Sequence, residues 1–318
     1  MARSLNPLFL AGLGAGLAAA AYATARALNA APPPDGAVVL VTGGSRGLGF
    51  AIASRFARRP VRLVLAARDR LELITAQDAL IDEHPHLRPE DFYLFTGDLA
   101  NPNECHRLID EAFAHFGRID VLVNNAGIIE VGPAELQPLD AFYRAMHIHF
   151  YAPLHTVWAA LPRLRRQEAM PGWPRRAAIV NIASVGGKIA VPHLLPYTAS
   201  KFALVGFSEG LHAELRKHNI LVTTVNPGLM RTGGEHHAHF IGDVDAERRW
   251  FFFGAKTPGI ATTPQHAADR IYSAVTNGCA EITITPHAWL ATRFVGHCPG
   301  LAQVIGGLAN EYVLPAAP

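Results

Sequence analysis

Short apolar runs and longer helical patterns alternate along most of the chain. The apolar runs are four to six residues long and rich in aliphatic side chains, which is typical of strands buried on both faces. They are Ala37–Thr42, Val61–Ala66, Phe92–Thr96, Ile119–Val123, Ile179–Ile182, Leu221–Val225 and Glu281–Thr285. The helical patterns cover Asn103–Phe116, Leu139–Arg165, Pro196–His218 and Pro264–Thr276. This alternation predicts an α/β domain, with a doubly wound parallel sheet of about seven strands and helices on both faces.

The first thirty residues differ from this pattern. Leu8 to Ala25 form a stretch of 18 residues without a charge. As a helix the stretch measures about 27 Å, close to the thickness of a bilayer core. We therefore predict an N-terminal apolar helix that acts as a membrane anchor, with a cleaved signal peptide and a soluble helix as the alternatives. Pro32-Pro33-Pro34 predict a stiff spacer after it.

The remaining boundaries follow from changes in composition. The chain divides into an N-terminal segment with its spacer, 1–35, a folded domain, 36–285, and an apolar extension, 286–318. Residues 229–263 interrupt the alternation and contain the aromatic run Trp250–Phe253, so we expect them to form a lid over the site. The extension is broken by Pro299 and Gly300, and either docks on the sheet or lies in a membrane interface.

Charge and ligand-type residues exclude several classes of protein. Only 17% of the residues are charged and the net charge is +2, with Lys and Arg scattered, so we expect no nucleic-acid partner. The cysteines are odd in number and far apart, which argues against a disulfide framework: they are Cys105, Cys279 and Cys298. Three histidines cluster, but no carboxylate or Cys accompanies them at ligand spacing on a recognisable helix, so we predict a polar loop and no metal site: they are His236, His237 and His239.

A glycine-rich loop follows the first strand and precedes a helix. Its sequence is Thr42-Gly-Gly-Ser-Arg-Gly-Leu-Gly49. Such glycines let the backbone turn tightly and approach a pyrophosphate, which then lies at the helix N-terminus. An isolated glycine triplet is often a plain turn, but its position after the first buried strand favours a dinucleotide site. The candidate binding residues are Thr42, Gly43, Ser45, Arg46, Gly47, Leu48 and Gly49.

The end of the second strand bears on which dinucleotide binds. A site for NAD usually has a carboxylate there, which holds the ribose 2′-hydroxyl. This chain has Ala67 followed by Arg68, and Arg46 lies in the glycine loop. Two guanidinium groups suit a 2′-phosphate. Asp69 begins the next helix and is interpreted as its N-cap. The sequence therefore predicts NADP(H) as the cofactor, with Arg68 among its ligands.

Three polar residues form a candidate catalytic group. Tyr197 and Lys201 are spaced i and i+4, which places them on one face of a helix. An ammonium beside a phenol favours the phenolate, so we expect Tyr197 to act as a general acid or base. Ser184 follows the fifth strand, at the edge of the sheet where ligands bind, and its hydroxyl can bond the reacting oxygen.

Four motifs in this order resemble the short-chain dehydrogenase/reductase family over about residues 36–285. They are Thr42–Gly49, Asn124-Asn-Ala-Gly127, Ser184 with Tyr197 and Lys201, and Asn226-Pro-Gly228 with Thr232. The resemblance implies a Rossmann-like fold and further cofactor contacts. It places Asp98 at the adenine, Lys201 at the nicotinamide ribose and Thr232 at the carboxamide. The other implied cofactor-binding residues are Asn125, Ala126, Gly127, Tyr197, Pro227 and Gly228.

One position departs from the family pattern. The family usually has an Asn twenty-two residues after the last glycine of the second motif, where it helps to hold a water that relays protons to the lysine. Here the count from Gly127 reaches His149. His149 either replaces the Asn through its ring, leaves the task to its backbone carbonyl, or lowers activity. A buried histidine with a purely structural role is the alternative to a fourth catalytic residue.

The resemblance implies an NADP(H)-dependent oxidoreductase that interconverts an alcohol and a carbonyl. The anchor and the apolar extension favour a small lipophilic substrate, such as a sterol, a retinoid-like alcohol or an acyl-chain ketone. We expect the catalytic domain to face the cytoplasm at a membrane, with a soluble cytoplasmic protein as the alternative, and a homo-oligomer is compatible with the family. The competing functions are a non-catalytic NADP(H)-binding sensor or scaffold and a sugar-nucleotide epimerase. The epimerase usually has a different glycine spacing and a larger C-terminal domain.

Overall fold

The computed structural model describes Thr24 and residues 30–231, 238–256 and 261–316. Seven strands form one parallel sheet: β1 (Val38–Thr42), β2 (Arg62–Ala67), β3 (Phe92–Thr96), β4 (Val121–Asn124), β6 (Ala177–Ile182), β7 (Ile220–Asn226) and β9 (Glu281–Thr283). Their spatial order is β3-β2-β1-β4-β6-β7-β9, and every neighbouring pair is parallel. The predicted seven-stranded parallel sheet is confirmed. The order in which successive strands are added reverses between β1 and β4, and open α/β sheets bind their ligands at such a point.

Six helices cover the two faces of this sheet. On one face lie α1 (Gly47–Ala57), α2 (Arg70–Glu83) and α8 (Pro264–Thr276). On the other face lie α3 (Pro102–Phe116), α5 (Ala152–Leu164) and α6 (Leu195–Leu215). The central strand explains this arrangement, because all five residues of β1 are buried and alternate ones enter the two separate cores.

The predicted long helix from Leu139 to Arg165 is divided in three. It consists of α4 (Leu139–Met146), a π-helical turn (His147–Tyr151) and α5. Single π turns inside helices are often found at functional sites. This one places His149 in the interior, with a side chain that is 1% exposed.

A second, two-stranded sheet was not predicted. It pairs β5 (Glu130–Val131) with β8 (His239–Phe240) in parallel. The helix α7 (Val244–Lys256) follows β8, so the described part of the expected lid contains a strand and a helix. An isolated bridge from Met230 to Thr262 lies at the two ends of this segment.

The two terminal segments differ from the expectations in part. The predicted apolar helix over 8–25 lies outside the described residues, except for Thr24. The proline spacer packs against the domain, because Pro33 is buried and the Ala31 N–H donates to the Thr276 carbonyl at 3.0 Å. The extension forms α9 (Pro286–His297) and α10 (Pro299–Tyr312), which are largely exposed. Among the described residues, no helix is both long and apolar enough to cross a membrane.

Candidate active site

The glycine loop and the segment after β4 form one hydrogen-bonded unit. The Thr42 hydroxyl accepts the backbone N–H groups of Asn125 and Ala126 at 2.9 and 3.0 Å. The Asn125 amide donates to the Thr42 carbonyl at 2.9 Å. A Cβ at Gly49 would lie 2.0 Å from the Gly43 oxygen, and Gly43 has a φ of +63°. Only glycine fits this close backbone approach, as the sequence analysis expected.

A cavity of about 1040 Å³ opens at this edge of the sheet. The cavity runs from the glycine loop past the ends of β2, β3 and β4. The predicted cofactor residues that line it are Gly43, Ser45, Arg46, Leu48, Gly49, Arg68, Asp98, Asn125, Ala126 and Gly127. The lining and the glycine-only backbone together fit a nicotinamide dinucleotide.

The two arginines expected at a 2′-phosphate both line the cavity, but their surroundings differ. Arg68 is exposed at the end of β2. Arg46 is bound by Glu72, with 2.6 Å between the guanidinium Nη1 and Oε1, and Ser45 donates to the other carboxylate oxygen at 2.9 Å. A carboxylate therefore stands in the predicted phosphate site, which the sequence analysis did not anticipate. Asp69 caps α2 by accepting the N–H groups of Leu71 and Glu72, which confirms its predicted role.

Tyr197 and Lys201 lie on α6, and Ser184 lies in the turn after β6. Tyr197 and Ser184 share a side-chain hydrogen bond, which lowers the pKa of the phenol, but burial raises that pKa more, so it lies above its ordinary value. The Lys201 ammonium donates to the Ile182 carbonyl at 2.7 Å and lies 5.7 Å from the centre of the Tyr197 ring. Burial lowers the pKa of Lys201 to about 7.

This arrangement differs from the sequence argument in one respect. The spacing of the two residues predicted that Lys201 lowers the pKa of Tyr197, whereas desolvation raises that pKa and Lys201 is bound to a backbone oxygen. A phenol with a raised pKa keeps its proton at neutral pH and can donate it. The geometry therefore suits Tyr197 as an acid toward a carbonyl oxygen beside Ser184.

His149 joins the catalytic group to the cofactor cavity. Its Nε2 accepts the N–H of Ile128 at 3.1 Å, so Nδ1 carries the proton and donates to the Ser200 hydroxyl at 2.8 Å. Its ring packs edge-on to Tyr197, with centroids 5.3 Å apart. Burial and the nearby Lys201 lower its pKa well below the ordinary value. Both ring nitrogens are thus occupied, and the ring is neutral.

The motif after β7 closes the site on the other side. The Pro227 carbonyl accepts the N–H of Val185 at 2.9 Å, next to Ser184. A Cβ at Gly228 would lie 3.2 Å from the Thr285 hydroxyl, so this turn is also tightly packed. Thr232, the predicted carboxamide ligand, lies outside the described residues.

Two features of the site escaped the sequence analysis. Glu72 lies 26 residues from Arg46, in the first turn of an ordinary helix, and nothing in the sequence around it predicts their contact. Ser200 occurs inside the Tyr-x-x-x-Lys motif, but its bond to His149 depends on the π turn. Of the three clustered histidines, His239 is described, and no group of three metal-ligand side chains occurs among the described residues.

Comparison with known proteins agrees with this geometry. The model of the short chain dehydrogenase family matches residues 37–239, which is more than half of the chain. The chain belongs to the short-chain dehydrogenase/reductase family. Membership of this family supports an oxidoreductase that acts on alcohol and carbonyl groups with a nicotinamide dinucleotide.

Individual relatives are similar over most of the domain. "Dehydrogenase/reductase SDR family protein 7-like" from Anopheles gambiae is 32% identical over 263 residues, which cover 83% of this chain and 79% of that protein. "11-beta-hydroxysteroid dehydrogenase-like 4A" from Arabidopsis thaliana is 34% identical over 202 residues, which cover 63% of this chain. That match spans only 62% of the plant protein's length.

Solved structures share the fold. The short chain dehydrogenase/reductase from Burkholderia phymatum, crystallised with NAD, gives a TM-score of 0.74 at 24% identity, over 84% of this chain and 95% of that one. A short-chain dehydrogenase from Streptomyces avermitilis gives a TM-score of 0.67 at 27% identity, over 87% of this chain and 96% of that one. The short-chain dehydrogenase/reductase fold of the domain is therefore shown independently of its motifs.

Proposed function

We propose that this chain is an NADP(H)-dependent oxidoreductase that interconverts an alcohol and a carbonyl on a small lipophilic substrate. The observation that carries the proposal is the convergence of Ser184, Tyr197 and Lys201 beside the cavity. Gly127 and Ile128 line that cavity and contact His149, whose ring packs on Tyr197. The acid/base group and the cofactor cavity are therefore contiguous.

Each catalytic side chain has a distinct role in this proposal. The bound nicotinamide dinucleotide supplies a hydride in one direction and accepts one in the other. Tyr197 donates its phenolic proton to the carbonyl oxygen during reduction and takes it back during oxidation. Ser184 bonds the same oxygen. Lys201, whose pKa of about 7 lets it change charge near neutral pH, binds the ribose and restores the proton balance of the phenol.

The preference for NADP(H) is supported by the charge of the cavity. Arg46, Arg68 and Arg70 line the part of the cavity at the end of β2, together with Glu72 and Asp69. Ala67 stands where a site for NAD usually has a carboxylate. A 2′-phosphate can bind the guanidinium groups of Arg46 and Arg68, although it must compete with Glu72 for Arg46.

Three features support a lipophilic substrate and a membrane location. The described part of the lid carries Phe240, Trp250 and Phe251 in mutual ring contact, with centroids 5.9 Å apart in each adjacent pair. The terminal helices α9 and α10 expose large apolar side chains: Trp289, Leu290, Phe294, Leu301, Val304, Ile305 and Leu308. The plant relative's name refers to hydroxysteroids. We propose that the catalytic domain lies at the cytoplasmic face of a membrane, and that the chain forms a homo-oligomer.

The direct test is turnover by the full chain in detergent. NADPH oxidation and NADP⁺ reduction are measured against steroid, retinoid and acyl-chain ketones and alcohols, with NADH and NAD⁺ in parallel. The proposal expects turnover with at least one lipophilic carbonyl and a preference for the phosphorylated cofactor. Tight cofactor binding without turnover of any compound would instead favour the non-catalytic sensor.

A further inference from the structure

We infer that Glu247 positions the lid, because its carboxylate binds helix α7 to the loop that precedes Tyr197. The wall of the site that α7 and this loop form on the substrate side is thereby in place before a substrate binds. The inference rests on the proposed function, because it assigns the wall to that reaction's substrate. The residues concerned are His193, Glu247 and Trp250, which we call the Glu247 cluster. His193 lies four residues before Tyr197, whereas Glu247 and Trp250 lie on α7.

The carboxylate of Glu247 is buried, and each of its two oxygens has a hydrogen-bond partner. The residue is 1% exposed. Its Oε1 binds Nδ1 of His193 at 2.7 Å, and its Oε2 accepts the indole N–H of Trp250 at 2.5 Å. A buried carboxylate is costly unless such partners satisfy it, and a buried ion pair adds little net stability compared with apolar packing. Its effect here is to favour one arrangement of the lid over others.

His193 has a backbone conformation that is uncommon among non-glycine residues. Its φ is +63°, in the left-handed region that non-glycine residues seldom adopt. The strain is held by contacts on two sides, since the ring binds Glu247 and the carbonyl accepts the N–H of Gly132 at 2.8 Å. Strained residues of this kind concentrate at ligand-binding sites, where the surroundings over-determine them.

The same contacts join three segments around the catalytic edge of the sheet. The segment after β4 pairs with the lid through Glu130–His239 and Val131–Phe240. Gly132 continues this segment and lies against Ile241, because a Cβ there would be 2.7 Å from the Ile241 oxygen. The loop before Tyr197 joins both through His193. The position of α7 is therefore fixed relative to the loop that precedes α6.

The Glu247 cluster is separate from the cofactor cavity. None of its three members is among the described residues that line that cavity. Loss of the cluster should therefore weaken substrate binding more than cofactor binding, to which the lid contributes His239 of the cavity wall. Such a split distinguishes a positioning role from a general loss of stability.

The experiment uses three variants of the full chain in detergent. Glu247→Gln keeps the shape but removes the charge. His193→Asn removes the imidazole, while Asn still tolerates the left-handed backbone. Asp245→Asn is the matched control, since it removes one charge from the exposed side of the same helix. Amide hydrogen–deuterium exchange of peptides from β8, α7, β1 and α1 is measured, together with NADPH affinity.

For Glu247→Gln and His193→Asn, exchange in β8 and α7 should rise by about tenfold or more, since hydrogen bonds to charged groups are stronger than neutral ones. Exchange in β1 and α1 should match the wild type, as should every measurement on the control, and NADPH affinity should change by less than KM. For the best substrate of the panel, KM should rise with little change in kcat. Exchange in α7 equal to that of the control, or an equal rise in β1, would overturn the inference. The exchange measurement needs no substrate, so its outcome stands even if no turnover is found.

Discussion

Nδ1 of His149 lies 2.8 Å from the Ser200 hydroxyl, which in turn donates to the backbone carbonyl of Tyr197 at 2.8 Å. The other ring nitrogen holds the N–H of Ile128, a residue of the cofactor cavity. The histidine that replaces the family's usual Asn therefore spans from the cavity wall to the helix of the acid. We propose that it positions Tyr197, and that its ring relays no proton during turnover.

His149→Leu should lower both stability and turnover. The variant removes the hydrogen bond of the part-buried Ile128 N–H, which costs about 0.5–1.5 kcal/mol of unfolding free energy. Because the pKa of His149 lies well below its ordinary value, the pH profile of kcat should keep its shape between about pH 5 and 9 in the wild type and in the variant. Chemical denaturation and pH–rate profiles check both expectations. A profile that loses an ionisation in the variant would make His149 a proton carrier.

Arg68 and Glu72 should shift cofactor choice in opposite directions. Arg68→Ala is expected to weaken NADPH far more than NADH, because only NADPH carries the 2′-phosphate. Glu72→Gln is expected to strengthen NADPH relative to NADH, because it removes a carboxylate that competes for Arg46. Asp78→Asn, on the exposed side of the same helix α2, is the control. Dissociation constants of NADPH and NADH, measured by cofactor fluorescence, test both predictions. Equal changes for the two cofactors in either variant would refute the role proposed for that residue.

Lys201 should make the stability of the cofactor-free protein depend on pH. Burial lowers its pKa from 10.5 to about 7, so between these values the unfolded chain holds a proton that the folded chain has lost. Unfolding then takes up a proton, and the unfolding free energy rises with pH. Relative to Lys201→Met, the wild type should gain stability from pH 7 to pH 10. Denaturant unfolding at several pH values measures the difference, which would stay constant if Lys201 did not titrate in this range.

The sheet was predictable because most of its strands are short, mainly apolar runs bounded by helical patterns. The pattern around β1 and the glycine loop also located the cofactor edge, since their order along the chain determines their place in the fold. The N-cap role of Asp69 needed only local sequence. These features depend on neighbours within a few residues, or on the general rules of parallel sheets.

Contacts between distant segments could not be predicted in the same way. His193 and Glu247 are 54 residues apart, and β5 and β8 are two residues long each, too short for a recognisable pattern. The pKa of Tyr197 was mispredicted because spacing shows that a lysine is near but does not show how strongly the phenol is desolvated. The roles of residues 8–25 and Thr232 stay predictions.

The central claim, that Tyr197 exchanges the proton in an NADP(H)-linked reaction, is tested most directly by Tyr197→Phe. The substitution removes the hydroxyl but keeps the ring that packs against His149. Turnover and NADPH affinity are measured on the same preparation with the best substrate of the panel. We expect kcat to fall by about 10²–10⁴-fold, the usual contribution of a general acid or base, with NADPH affinity nearly unchanged. A variant that keeps more than about a tenth of the wild-type rate, well above that range, would contradict the account.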